Sequence, residues 1–195
     1  MWELFKDIHW LTNVLDIWWF IGESAIYLSI YNKEVYTYEL SLTNYQYLEK
    51  NCKGIKNIHY FNWCISNSNE EYIEFQDTWI VSSTNQKQQT VWNSIKTKNY
   101  NIIKLLNDND FDWLKLDIEW WEYDIIKPII EAWLFNFKKW IIEFHYLSKK
   151  ENLKYLKYFL NYLRDNKYNY KIISNENKII KNINNVEYCN IVFIK

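Results

Sequence analysis

The segment Asn13–Ser24, NVLDIWWFIGES, constrains this chain more than any other. Val14, Leu15 and Ile17 form a short apolar run that carries one acid, Asp16. A run of this length reads as a strand buried on both faces, as the strands of parallel sheets are. Gly22 then precedes a helical pattern over Glu23–Tyr31, with Ala25, Ile26 and Leu28 apolar. A strand that passes through a tight loop into a helix is the layout of a nucleotide site. Its loop ordinarily depends on glycine, which reaches positive φ and lets backbone amides approach a ligand with no Cβ in the way. Here the loop begins with Trp18 and Trp19.

The whole chain shares this reversal. It holds 12 Trp and 2 Gly in 195 residues. Gly alone usually takes about 7 % of a chain, and Gly and Trp together come close to that share here. Two explanations stand. Either the chain is Trp-rich as written, or most Trp positions are glycines, because UGA is read as Trp in some genetic codes and as Gly in others. The abundance of Ile, Asn, Lys and Tyr, all with AT-rich codons, suits the second. So does physics: overpacking one fitted site costs roughly 1–3 kcal/mol, against a total stability of about 5–15 kcal/mol.

Strand and helix patterns alternate along the chain. Met1–Thr12 reads as a lead-in. Glu34–Leu40 alternates and carries β-formers, a second strand. Thr43 and Gln46 form a capping box for a helix that ends near Asn51–Gly54, with Gly54 as its stop. Asn57–Ile65 reads as the third strand. Glu71–Gln76 is a short hairpin-like strand outside the main alternation, and residues 77–98 are polar and read as a loop excursion. Asn101–Leu106 suits a short helix, and Asp112–Ile118 a fourth strand. Glu122–Ala132 is helical, with a kink or restart at Pro128. Trp140–His145 is the fifth strand. Ser148 and Glu151 form a second capping box, and Leu153, Leu156, Leu160 and Leu163 then recur at the spacing of one buried helix face. Tyr168–Ser174 and Glu187–Ile194 are two closing strands. This alternation predicts an α/β fold, a mostly parallel sheet with helices on both faces and an antiparallel last strand at or near an edge. The length suits one domain over residues 1–195.

Several partner classes are disfavoured. A net charge of -1 points to neither nucleic acid nor an anionic membrane. No run of 18 apolar residues exists, so no membrane-spanning helix is expected, and Met1–Asp7 lacks the pattern of a signal peptide. Cys52, Cys64 and Cys189 are widely spaced and odd in number, which suits free thiols in a reducing cytoplasm better than a disulfide frame or a zinc site.

In a parallel sheet the ligand lies beyond the carboxyl ends of the strands, where strand order switches. Asp16, the loop from Trp18 to Gly22 and the amides of the following helix face that place. Glu39 ends the second strand at roughly the 20-residue distance from which an acid reaches ribose hydroxyls. The alternative for Asp16 is to tie down loop amides, and for Glu39 to be an exposed strand-end acid. A second constellation lies in LKLDIEWWEYDII at Leu114–Ile126. Asp117 and Glu119 share one side of an extended chain. They suit orienting an acceptor, acting as a base, or holding a divalent cation. For Glu122 the favoured role is helix capping against the dipole. Glu143 and His145 end the fifth strand.

Read with Gly for Trp, the two stretches become VLDIGGFIGES and LKLDIEGGEYDII, and they resemble the FkbM-type methyltransferases. The K-x-D-x-E-G-x-E pattern at Lys115–Glu122 is the most specific match, supported by the Glu39 strand, Asn62–Ser66, EYIEF and IIEFH. The resemblance runs from about Asn13 to Ser174, and Phe20 departs from it where the family often has Asn. It implies a Rossmann-like class I methyltransferase with a seven-stranded sheet and S-adenosylmethionine as cofactor. Asp16, Trp18 and Gly22 would hold the methionine end, Glu39 the ribose, and Cys64 to Ser66 the adenine. Asp117, Glu119 and His145 would handle the acceptor and its proton, with no resident metal. The implied reaction is O-methylation of a small-molecule or sugar hydroxyl, with no nucleic-acid or membrane partner. An NAD-dependent oxidoreductase and a non-catalytic binding domain are the alternatives.

Overall fold

The computed structural model describes residues 13–18, 21–77, 93–118, 122–145, 147, 149–174, 178–183 and 189–193. The lead-in at 1–12, Glu119 and most of the 77–98 stretch lie outside them. Of the 12 Trp, those at 63, 113, 133 and 140 are described in full, and Trp18 by its backbone.

The chain begins as expected, with β1 (Asn13–Trp18), α1 (Glu23–Tyr31), β2 (Glu34–Tyr38), α2 (Leu42–Cys52) and β3 (Ile58–Phe61). Next come β4 (Trp63–Ser66), β5 (Tyr72–Asp77), β6 (Asn93–Asn101), α3 (Ile102–Asp108) and β7 (Trp113–Asp117). The remainder is α4 (Glu122–Glu131), β8 (Lys139–Phe144), α5 (Lys150–Asp165), β9 (Tyr170–Ile173) and β10 (Cys189–Phe193).

The main sheet has seven strands in the order β3-β2-β1-β7-β8-β10-β9. Strands β3, β2, β1, β7 and β8 are mutually parallel, and β10 runs antiparallel to both β8 and β9. The antiparallel strand therefore sits one place in from the edge. Chain order reverses between β1 and β7.

Alternation along the strands sorts the core into two layers. Val14, Trp113 and Ile141 point to one face and pack with Ala25 and Leu28 of α1 and Leu48 and Cys52 of α2. Leu15, Leu114 and Ile142 point to the other, against Leu105 of α3, Ile125 and Ile129 of α4, and Leu156, Phe159 and Leu163 of α5. Of the four leucines expected on one face of α5, Leu156 and Leu163 are fully buried, while Leu153 and Leu160 are half-buried at the margins. Gly22 caps α1 at φ 96. A Cβ there would meet Leu48 Cδ1 at 2.7 Å, so glycine is required both for the turn and for the approach of α2.

Local expectations fail at four places. The third strand is two strands, because the chain breaks at Asn62. Its amide donates to Glu39 O and Leu40 O at 2.9 and 3.1 Å, and the chain after it joins a second sheet of order β4-β6-β5. Residues 93–98, polar by sequence, belong to β6, which pairs with β5 antiparallel and β4 parallel. The cap of α2 is Ser41, two residues before Thr43, with Asn44 N donating to its hydroxyl at 3.5 Å. Finally, α4 runs through Pro128 without a restart. The capping box at Ser148 falls outside the described residues, and α5 starts after Lys149.

The Trp positions are not alike. Trp113 and Trp140 are 1 % exposed, and Trp140 packs edge-on to Phe135 and Phe159 at 5.6 and 5.8 Å. Trp133, just past α4, has φ 59 and is 81 % exposed. That is the left-handed conformation in which a helix usually ends on glycine. Trp133→Gly is expected to raise stability by about 1 kcal/mol, seen as a Tm increase of about 2–4 °C for a chain of this size. A fall in Tm would show that the indole is wanted there.

Candidate active site

Asp16, Lys115, Asp117 and Glu143, with His145 just past β8, share the α1 side of the sheet at its carboxyl end. The parallel registers place Asp16 beside Lys115 and Trp18 beside Asp117, and Lys115 beside Ile141. Counting by twos from Ile141 brings Glu143 and His145 to the same face.

Asp16 is fully buried. Its Oδ2 accepts from Ser24 Oγ at 2.7 Å and Thr37 Oγ1 at 3.4 Å, tying β1 to the start of α1 and to β2. Its Oδ1 is buried with no hydrogen-bond partner among the described residues. Burial raises the carboxyl's pKa, opposed by Lys115 and the two hydroxyls. Asp16 thus ties three elements together and keeps one acceptor atom with no hydrogen-bond partner among the described residues.

Glu39 is also fully buried, not an exposed strand-end acid. Ser41 N donates to its Oε1 at 2.6 Å, which fixes the carboxylate just past β2. Its chain neighbours Tyr38 and Leu40 line a cavity of about 10 Å³ with Ile17, Trp63, Cys64, Ile65 and Ile118. Cys64 is buried there, and burial pushes its thiol up to about 12. Ser66 donates to Asn99 Oδ1 at 2.8 Å and lines a cleft of about 490 Å³ with Tyr123 and Asp124 of α4. All three cysteines are buried and free, with no disulfide.

The second group is tighter than the sequence suggests. Lys115 Nζ donates to Asp117 Oδ2 at 3.3 Å, both nearly buried. His145 Nε2 lies 3.8 Å from Asp117 Oδ1 and 3.9 Å from Glu143 Oε1. His145 Nδ1 is hydrogen-bonded to Glu122 Oε1, and Tyr123 Oη and Asn152 Nδ2 donate to the His145 carbonyl at 3.0 and 3.3 Å. Glu122 therefore does more than cap α4. It stands in the first turn, but it is fully buried and grips the imidazole, and burial raises its carboxyl pKa against the pull of His145. No local pattern carries this contact, because it depends on β7 and β8 being neighbours. Glu119 lies outside the described residues.

The site suits S-adenosylmethionine on two observations. Asp16 keeps a buried oxygen with no hydrogen-bond partner among the described residues, and Gly22 opens α1 with no side-chain cap. Glu39 stands at the place from which ribose is gripped in sheets of this type.

Comparison with known proteins shows the family and the fold. The family described as "Methyltransferase FkbM domain" matches residues 21–172. A search of curated proteins finds no match. Among solved structures, the methyltransferase FkbM of Methylobacillus flagellatus KT is 16 % identical with a TM-score of 0.55, covering 93 % of this chain and 43 % of that one. This chain thus spans less than half of that relative's length. An rRNA methylase from Streptococcus thermophilus superposes with a TM-score of 0.57 at 11 % identity, covering 98 % of this chain and 91 % of that one. Aeropyrum pernix fibrillarin, solved with S-adenosyl-L-methionine natively bound, gives 0.53 at 12 %, covering 96 % and 68 %. These likenesses show the class I methyltransferase fold. Matched over most of its length, the chain belongs to the methyltransferase FkbM domain family.

Proposed function

We propose that this domain transfers a methyl group from S-adenosylmethionine to a hydroxyl of a small molecule or saccharide. The observation that carries the reading is the register at the switch in strand order. Trp18, where β1 runs into the cofactor loop, is paired with Asp117, where β7 ends among acids and His145. A cofactor on the loop and an acceptor over Asp117 are then immediate neighbours, the alignment on which such a displacement chiefly depends.

When bound, the cofactor supplies a methyl carbon on a sulfonium, and the acceptor oxygen displaces a neutral thioether from it. The residues of this chain do the rest. Asp16, the loop from Trp18 and Gly22 hold the methionine end, and Glu39 holds the ribose. Tyr38, Leu40 and Cys64 border the adenine place, with Ser66 further out. Asp117, Glu119 and His145 orient the hydroxyl and receive its proton, and Glu122 sets the ring of His145. The near-neutral charge favours a small acceptor over RNA. The three buried free thiols favour a reducing cytoplasm, and among the described residues no helix is long and apolar enough to cross a membrane. We assign the whole of residues 1–195 to this one domain.

Calorimetry with S-adenosylmethionine and with NAD, on the printed chain and on a version with glycine at every Trp, tests the cofactor. Binding of S-adenosylmethionine alone is expected; binding of NAD alone would overturn the reading. Labelled methyl transfer to polyols and sugars, with an rRNA fragment as a parallel arm, tests the acceptor. Transfer to RNA alone would overturn the small-acceptor assignment.

A further inference from the structure

We infer that Asp117, Glu143 and His145 form a binding site for a divalent cation, at the place where the acceptor is to be held. One donor atom from each of the three lies within 4.8 Å of the others. His145 Nε2 lies 3.8 and 3.9 Å from the two carboxylate oxygens, and a six-coordinate ion with bonds of about 2.0–2.4 Å would draw such neighbouring donors in to about 2.8–3.4 Å. All three side chains are nearly buried and come from the ends of two neighbouring parallel strands, so the donors are held by the sheet rather than by a loop.

A second observation comes from outside the three. Glu122, fully buried on α4, holds His145 Nδ1 through Oε1, while its Oε2 is buried without a hydrogen-bond partner among the described residues. A carboxylate on the far nitrogen of an imidazole fixes the tautomer that turns a lone pair inward, and it is the usual outer support of a metal-bound histidine. Lys115 takes Asp117 through Oδ2, leaving Oδ1 on the side of His145. Two carboxylate oxygens and one imidazole nitrogen are a donor set for a six-coordinate ion of the magnesium, manganese or iron(II) kind. Three positions remain for water and an acceptor oxygen.

This deepens the proposed function, since handling of the acceptor by Asp117 and His145 would then run through the ion; the ion's binding itself does not rest on that reading. The probe is Mn²⁺ alone, followed by electron paramagnetic resonance on the full chain, with S-adenosylmethionine binding measured on the same samples by calorimetry. One Mn²⁺ per chain is expected. Asp117→Asn and Glu143→Gln should abolish it with the circular dichroism spectrum intact. Glu122→Gln, which keeps the shape of the side chain, should weaken it about 10–100-fold. No stoichiometric Mn²⁺, or binding unchanged in all three variants, overturns the site. If S-adenosylmethionine binds without Mn²⁺, the cation site fails and the methyltransferase reading stands. If Mn²⁺ binds without S-adenosylmethionine, the reverse holds.

Discussion

Trp63→Gly is expected to tighten S-adenosylmethionine binding about 10-fold, and Trp18→Gly with Trp63→Gly about 100-fold. Trp63 is half-buried between Phe61 and Tyr100, with ring centroids 5.0 and 5.6 Å away and Tyr38 at 6.4 Å. It is one wall of the cavity beside Glu39, whose volume of about 10 Å³ is room for one water and not for a purine. The place proposed for adenine is therefore narrowed by the Trp63 indole. Forcing a ring past a fitted side chain costs roughly 1–3 kcal/mol, and each 1.4 kcal/mol is about tenfold in affinity. The substitution also removes the cation–π contact of Lys98, 4.4 Å from the Trp63 ring, so some stability is lost as affinity is gained. Calorimetry reads the first and a thermal melt the second. Equal affinity in the three proteins would show that the indoles leave the cofactor its room. Trp113 and Trp140 are the contrast: packed as they are, replacement by glycine is expected to cost roughly 3–5 kcal/mol each. The codon at each Trp position, or the mass of the peptide that carries it, decides the letter independently of binding.

The architecture was legible because its strands are buried on both faces and its helices on one. The run at Val14–Ile17 and the alternation at Glu34–Leu40 needed no tertiary information, and their sum, repeated, implies a parallel sheet. What was hidden depended on partners distant in sequence. Nothing local marks Asn62 as a break. Its amide is bonded to carbonyls of Glu39 and Leu40, over 20 residues earlier. Residues 93–98 are polar yet form a strand, because β6 is the middle of the small sheet and is held from both sides by backbone pairing. Ser41 outcompeted Thr43 as a cap because Glu39 binds the Ser41 amide and sets where the chain turns into α2.

The site divides in the same way. Asp16, Gly22, Glu39, Asp117 and His145 were marked by position, each at or just past a strand end, and position is what a parallel sheet fixes. Glu122 was read as a cap because the first turn of a helix explains an acid sufficiently. Its hold on His145 requires knowing that β7 and β8 are adjacent. Glu143 comes beside His145 in the same way, and the partner of Ser66, Asn99, is 33 residues away because the break at Asn62 carries β4 into the second sheet.

Glu39→Ala and Asp117→Ala are expected to fail in opposite ways. Glu39 is fully buried and held by the Ser41 amide, so its carboxylate is already oriented before any ligand arrives. Loss of charge-assisted bonds to the ribose would cost about 1.5–3 kcal/mol, a rise of about 10–150-fold in the Kd for S-adenosylmethionine, with kcat at saturating cofactor little changed. Because the same carboxylate also steadies the start of α2, Glu39→Gln is the companion variant. It keeps an acceptor for Ser41 N but loses the charge, and an intermediate Kd is expected. Asp117, proposed to face the acceptor, lies two residues from Lys115 and beside His145. Removing a group that positions the hydroxyl or takes its proton lowers the rate by about 10²–10⁴, while the Kd for the cofactor should stay within about threefold. Lys115 keeps the nearby Asp16 as a counter-charge, so the buried lysine is not left bare in that variant. Cofactor affinity unchanged in Glu39→Ala would remove Glu39 from the ribose. A cofactor Kd that rises as far in Asp117→Ala as in Glu39→Ala would move Asp117 from the acceptor to the cofactor.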